Sequence, residues 1–149
     1  MNLTLFTDYS LRTLIYLGSL EGQQKASLEQ IANAYGISHH HLVRVGQRLA
    51  KLGLIRTLRG RNGGIELAKE PADISIGWLV RELEENMNLV DCFSGEQMCV
   101  IQGACGLQGM LAAALQAYLH VLDRYTLADV IRNRSAFLKL LARAPERLP

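Results

Sequence analysis

The stretch from Ser27 to Leu67 constrains the fold most, because two helical patterns and a hairpin follow one another there with clear punctuation between them. Ser27 precedes Leu28 and Glu29, Ile31, Ala32 and Tyr35 fall on one side, and Gly36 follows, which is a capped short helix that stops at a glycine. Ser38 opens a second helical pattern in which Leu42, Val45, Leu49 and Leu52 recur at steps of three, four and three, leaving Arg44, Gln47, Arg48 and Lys51 on the other side. Leu54, Ile55, Thr57 and Leu58 then read as a short strand, Arg59 to Gly64 as a tight turn, and Ile65 to Leu67 as the returning strand.

A helix, a glycine-bearing turn and a second helix with a basic outer face form the helix-turn-helix pattern, whose second helix lies in the major groove of DNA. Ser38, His39, His40 and His41 then occupy its leading turn, where side chains reach base edges and phosphates, and Arg44, Arg48 and Lys51 continue the same face. Taken alone, this helix could equally be a solvated amphipathic one. The hairpin favours the DNA-reading alternative, since it follows directly and carries Arg59 and Arg61 at its tip, as a wing entering a minor groove would. The formal charge of the whole chain is only +2, yet Arg44, Arg48, Lys51, Arg56, Arg59 and Arg61 fall between Ser38 and Arg61 with no Asp or Glu among them. One basic patch is expected there.

On the N-terminal side, Leu11, Leu14, Ile15 and Leu17 predict a helix over 7–20. Downstream, Pro71 and Asp73 end the hairpin, and Ile76, Leu79, Val80 and Leu83 predict a helix carrying Trp78, with Arg81, Glu82, Glu84 and Glu85 as its solvated face. After Cys105, Leu107, Leu111, Leu115, Tyr118, Leu122 and Tyr125 make one apolar stripe, and Met110, Ala114, Ala117 and Val121 a second. A helix that buries one stripe on its own chain has the other left for a partner subunit. Short helices over 127–132 and 135–142 and a frayed end from Pro145 complete the reading. With 149 residues, 49% of them apolar, the chain supports one compact domain and an appended element. The fold class expected is mainly α: a winged helix-turn-helix DNA-binding domain over 1–75, a connecting helix and cluster loop over 76–106, and a dimerisation helix with C-terminal helices over 107–149.

All three cysteines, Cys92, Cys99 and Cys105, lie within fourteen residues, with six and five residues between them. No secretion signal and no long apolar run are read, so a cytoplasmic protein with no membrane partner is expected, where clustered thiols point to metal or redox chemistry. Soft thiolates suit an iron-sulfur cluster, zinc or copper(I). Structural zinc more often uses cysteine pairs two to four apart, which are absent. Iron-sulfur cluster, zinc and three unrelated thiols all remain open on spacing, and a cluster would need a fourth ligand from elsewhere.

LTLFTDYSLRTLIYL at the start, the RGRNGG tip, IGWLVRELE, the three cysteines ending in GAC, and YTLADV together resemble the superfamily of winged-helix iron-sulfur regulators that includes NsrR, IscR and RirA, and the nitric-oxide-sensing NsrR branch above the others. The resemblance covers almost the whole chain. It implies a homodimer crossed by the helix after Cys105, with an iron-sulfur cluster, 4Fe-4S in preference to 2Fe-2S, ligated by Cys92, Cys99 and Cys105. It also implies Asp8 of the partner subunit as fourth ligand; on the residues alone, Asp8 would rather serve the positive end of the first helix. IscR-like proteins carry a histidine three residues after the third cysteine, where this chain has Gln108.

The function expected is a nitric-oxide-responsive repressor that binds double-stranded operator DNA as a homodimer and is released when its cluster is nitrosylated. The alternative is a regulator sensing iron or cluster status. A redox enzyme or electron carrier is the third class, and against it no glycine-rich nucleotide motif follows a strand, since RGRNGG sits in a hairpin. No paired acid and base stand out, so the chain is not expected to be an enzyme.

Overall fold

The computed structural model describes residues 2–22, 24–60, 63–90, 93, 99–101 and 104–142. Seven helices and one hairpin are found among them: α1 Leu5–Ser19, α2 Leu28–Tyr35, α3 His39–Lys51, β1 Ile55–Leu58, β2 Gly64–Leu67, α4 Ile76–Leu83, α5 Leu107–Asp123, α6 Leu127–Val130 and α7 Arg134–Leu141. Pro71–Asp73 form a single 3-10 turn between β2 and α4. The chain is mainly α with a two-stranded antiparallel sheet, as the sequence predicts.

The helix-turn-helix forms for the local reasons read above. Ser27 caps α2 through a reciprocal box with Gln30, and Gly36 closes it in the left-handed conformation with φ of 65°. The buried face of α3 is Leu42, Val45, Gly46 and Leu49, and the absence of a side chain at Gly46 lets Leu28 of α2 pack against the helix backbone. In the hairpin, Ile55 pairs with Leu67 and Thr57 with Ile65. Ile65 also exchanges both backbone hydrogen bonds with Ala26, at 2.8 and 3.0 Å, so the segment before α2 forms a third, one-residue rung on the sheet.

The core is one cluster in which Leu14 and Leu17 of α1 meet Ile31, Leu42, Val45 and Leu49 of the helix-turn-helix, Leu54, Ile55 and Ile65 of the hairpin, and Leu79 and Leu83 of α4. Leu127 and Ile131 close it from the C-terminal side, so the segment after α5 returns to α1. α1 buries an unexpected face. Thr7, Ser10, Thr13 and Ser19 are fully buried, and Ser10, Thr13 and Ser19 donate to the carbonyls of Phe6, Tyr9 and Ile15 at 2.7–2.8 Å. A hydroxyl satisfied by its own helix can be buried at little cost.

The charged residues of α4 lie on an exposed face, as read from the sequence, and three of them also find partners there. Arg81 forks onto Asp123 at the end of α5, Nη1 to Oδ1 at 2.5 Å and Nη2 to Oδ2 at 2.8 Å. Glu82 faces Arg48 of α3, and Glu84 accepts from the backbone N–H and the hydroxyl of Thr4, the cap of α1, at 2.8 and 3.1 Å. Three charges on one short helix therefore reach three different elements. α4 and α5 also touch closely at Gly77, where an added Cβ would lie 2.0 Å from Asp123 Oδ1.

Candidate functional site

Two regions carry the candidate residues: the outer face of α3 with the hairpin, and the cysteine segment between α4 and α5.

On α3, Ser38, His39, His40, His41, Arg44 and Lys51 are exposed, because the buried positions of this strongly amphipathic helix are all spoken for by the core. Ser38 stands at the cap position without making a side-chain capping bond, and no acidic residue lies in the first turn. His41 stacks on Tyr9 of α1 with ring centroids 6.0 Å apart and 27° between planes, and His40 lies 6.4 Å from His41. Tyr9, His41 and Arg44 line a small crease of about 190 Å³ together with Leu5, Phe6 and Val45, so α1 sets the position of the leading turn.

Arg48 differs from its neighbours. It is half-buried, its Nη2 donates to the Glu82 backbone oxygen at 2.9 Å, and it lies 3.6 Å from the Glu82 carboxylate. Sequence periodicity put Arg48 on the basic face with Arg44, and the structure gives its guanidinium to α4. Nothing in the spacing of α3 could have found this, since the partner is thirty-four residues away.

Arg59 is exposed where β1 ends, and Gly60 turns the chain with φ of 110°, a conformation that a side chain would oppose. Arg61 lies outside the described residues. Arg56, farther back on β1, pairs across the sheet with Glu66 at 2.9 Å, which fixes the hairpin rather than its tip.

In the cysteine segment, Cys99 is exposed and Cys105 half-buried just before α5 begins, both as free thiols; Cys92 lies outside the described residues. Asp8 is half-exposed in the first turn of α1 and holds Arg12 with both oxygens, accepting from Nε at 3.1 Å and Nη2 at 2.9 Å. Arg12 in turn stands over the Tyr35 ring at 5.8 Å. Burial pushes the Tyr35 phenol up to about 12, against the opposing pull of Arg12. Asp8 also lines an open groove of about 760 Å³ with Leu3, Glu84, Leu89, Leu115 and Tyr118, between the start of α1, the segment after α4 and the flank of α5.

Within one chain, no group of three or more His, Cys, Asp or Glu side chains converges as a metal site among the described residues. Asp8 is thus not gathered with Cys99 and Cys105 in the monomer. The donor types do fit iron: three thiols within fourteen residues of sequence, and a carboxylate that lines an open groove and is paired with Arg12 at the surface.

α5 completes the picture. Over its seventeen residues only Leu119 is buried, a position belonging to neither stripe read from the sequence. Leu111, Leu115, Tyr118 and Leu122 of the first stripe are half-buried, while Met110, Ala114, Ala117 and Val121 of the second are exposed.

Residues 3–133 match the Rrf2 family, whose description is iron-dependent transcriptional regulator. A protein of Geobacillus kaustophilus named HTH-type transcriptional regulator NsrR is 50% identical over 142 residues, covering 95% of this chain and 97% of that protein. The protein of the same name from Bacillus subtilis is 48% identical over 142 residues, with 95% and 97% covered. Among solved structures, CymR, the global cysteine regulator of B. subtilis, matches with a TM-score of 0.70 at 28% identity over 87% of this chain and 95% of its own. IscR of T. potens matches with a TM-score of 0.70 at 27% identity over 89% and 88%.

Proposed function

The chain belongs to the Rrf2 family of transcriptional regulators, and we propose that within it this protein is a homodimeric repressor that responds to nitric oxide through an iron-sulfur cluster. It is a DNA-binding regulator and not an enzyme. The observation that carries the finer reading is the identity of about half, over 95% of the chain, to proteins named NsrR, together with the three cysteines in one segment.

In this reading residues 1–75 read DNA, 76–106 hold the cluster and 107–149 join the subunits. The leading turn of α3, with Ser38, His39, His40, His41 and Arg44, enters the major groove, Lys51 meets the backbone, and Arg59 and Arg61 reach the flanking minor groove. Arg48 contributes by fixing α3 against α4 and only secondarily as a phosphate contact. Cys92, Cys99 and Cys105 would hold the cluster, 4Fe-4S in preference to 2Fe-2S, and Asp8 would reach it from the partner subunit. When bound, the group supplies iron open to a diatomic ligand. A carboxylate is a hard ligand for such iron and exchanges more readily than a thiolate. Arg12 offers the Asp8 carboxylate a partner whenever it is not serving as a ligand, so the chain itself can hold Asp8 in either place. The signal shifts operator affinity only as far as the two states of the dimer differ in DNA-binding free energy.

The test is to purify the protein anaerobically, assay iron and sulfide, and titrate it separately with nitric oxide and with an iron chelator while following operator binding. Loss of binding at stoichiometric nitric oxide supports the proposal. Loss under chelation alone returns the protein to a sensor of iron or cluster status, the second reading, which the iron-dependent description of the family favours.

A further inference from the structure

We infer that Arg48 is the positioning residue through which the cysteine segment acts on DNA binding, because it ties the last turn of α3 to the carboxyl end of α4; this rests on the DNA and cluster roles proposed above. α4 ends at Leu83, so the Glu82 carbonyl is one of the last of the helix, which the helix itself leaves without a donor. Arg48 Nη2 donates to it at 2.9 Å and stands 3.6 Å from the Glu82 carboxylate, which puts a guanidinium at the negative end of α4. Among the described residues, Arg48 makes the only hydrogen bond or ion pair between α3 and α4.

The same helix end is where the chain leaves α4 for Cys92, Cys99 and Cys105, and it also holds α1. Glu84 accepts from the backbone N–H and the hydroxyl of Thr4, and the Thr4 carbonyl accepts the first backbone bond of α1, from the Asp8 N–H at 3.0 Å. The body of α4 is fastened separately: Leu79 and Val80 are buried, and Arg81 is forked onto Asp123. A change in the cysteine segment therefore meets a helix whose body is fixed and whose end is joined to α3 by one guanidinium.

Hydrogen bonds are directional and weaken steeply when bent, so a small turn of the chain after Leu83 changes what Arg48 can hold and with it the stance of α3. The planar guanidinium suits this place because it meets a carbonyl and a carboxylate of one residue together. A lysine there keeps the charge that a DNA phosphate would need and loses the fork. Arg48→Lys thus separates a positioning role from a phosphate contact.

The experiment uses the anaerobically purified full chain and a fluorescent duplex selected by the wild type from a randomised pool, at fixed pH and salt. Affinity and amide hydrogen exchange are measured before and after stoichiometric nitric oxide, and separately before and after an iron chelator. The wild type should lose affinity about tenfold or more under the treatment that is its signal, with exchange changing in the last turns of both α3 and α4. Arg48→Lys, at wild-type iron content and absorption, should keep its affinity within about threefold between the two states, with exchange still changing in α4 and no longer in α3. Arg48→Gln, which lacks both fork and charge, should lose the response in the same way. Either variant responding as the wild type does, or a wild-type α3 whose exchange stays constant while affinity falls, overturns the coupling and leaves the sensor reading intact. A wild-type affinity unmoved by both treatments overturns the sensor reading and the coupling with it.

Discussion

Gly77 shows how one missing carbon can set the relation of two helices. An added Cβ would lie 2.0 Å from Asp123 Oδ1 and 2.8 Å from its backbone nitrogen, so Gly77→Ala must push α4 from α5 and open the fork between Arg81 and Asp123. The expected loss is about 1–3 kcal/mol, read as a lower midpoint in chemical denaturation. Asp129 makes a second prediction. Hydrogen bonds from the Thr126 backbone first, then from Arg132 and the Thr126 hydroxyl, hold its carboxyl below the usual aspartate value of 3.8. A depressed acid stabilises the fold above its unfolded value, and that contribution disappears as pH falls through the folded one. Asp129→Asn should therefore lower the melting temperature at neutral pH yet narrow the gap to wild type below about pH 4, and a constant gap would remove Asp129 from the acid response. The cap at Thr126 was legible because its partner stands three residues on. The buried hydroxyls of α1 were not, since Ser10, Thr13 and Ser19 count as polar in any periodicity and only the carbonyls behind them make them core.

At the scale of elements, the order helix, glycine, helix, hairpin was readable because every signal in it is local: the Ser27 cap, Gly36, the steps of α3 and the glycine-rich turn between two short apolar runs. The role of α4 was hidden because Arg48, Thr4 and Asp123 come from three distant parts of the chain. This helix ties α3, the start of α1 and the end of α5 to one short body that leads directly into the cysteine segment. Glu82→Gln tests the link to α3. Releasing Arg48 toward phosphate should tighten DNA binding severalfold and steepen the dependence of log affinity on log salt by about one. An unchanged salt slope would mean that Arg48 stays on α4 without the carboxylate, held by the Glu82 backbone oxygen.

For the molecule as a whole, the exposed second stripe of α5 is the surface a second copy would cover, as the two apolar stripes predict. Val121→Glu combined with Ala117→Glu should convert the dimer to monomer in sedimentation velocity and abolish operator binding, since a palindromic site needs two heads. A dimer that persists would move the interface elsewhere. The resemblance read from the sequence is borne out by the family match, whereas the gathering of Cys92, Cys99, Cys105 and Asp8 lies beyond a single chain and partly beyond the described residues. The end of α5 is fastened in four ways: by Leu119 in the interior, by the Arg81 fork, by the approach of Gly77, and by backbone bonds from Ile76 to Tyr125 and from Leu127 to Ile74. At its other end Leu107 and Met110 stand in the open. On the reading proposed above, α5 would act as a lever clamped at the end remote from Cys105, and a push beside Cys105 would be carried along seventeen residues to the joint where α4 stands against α3.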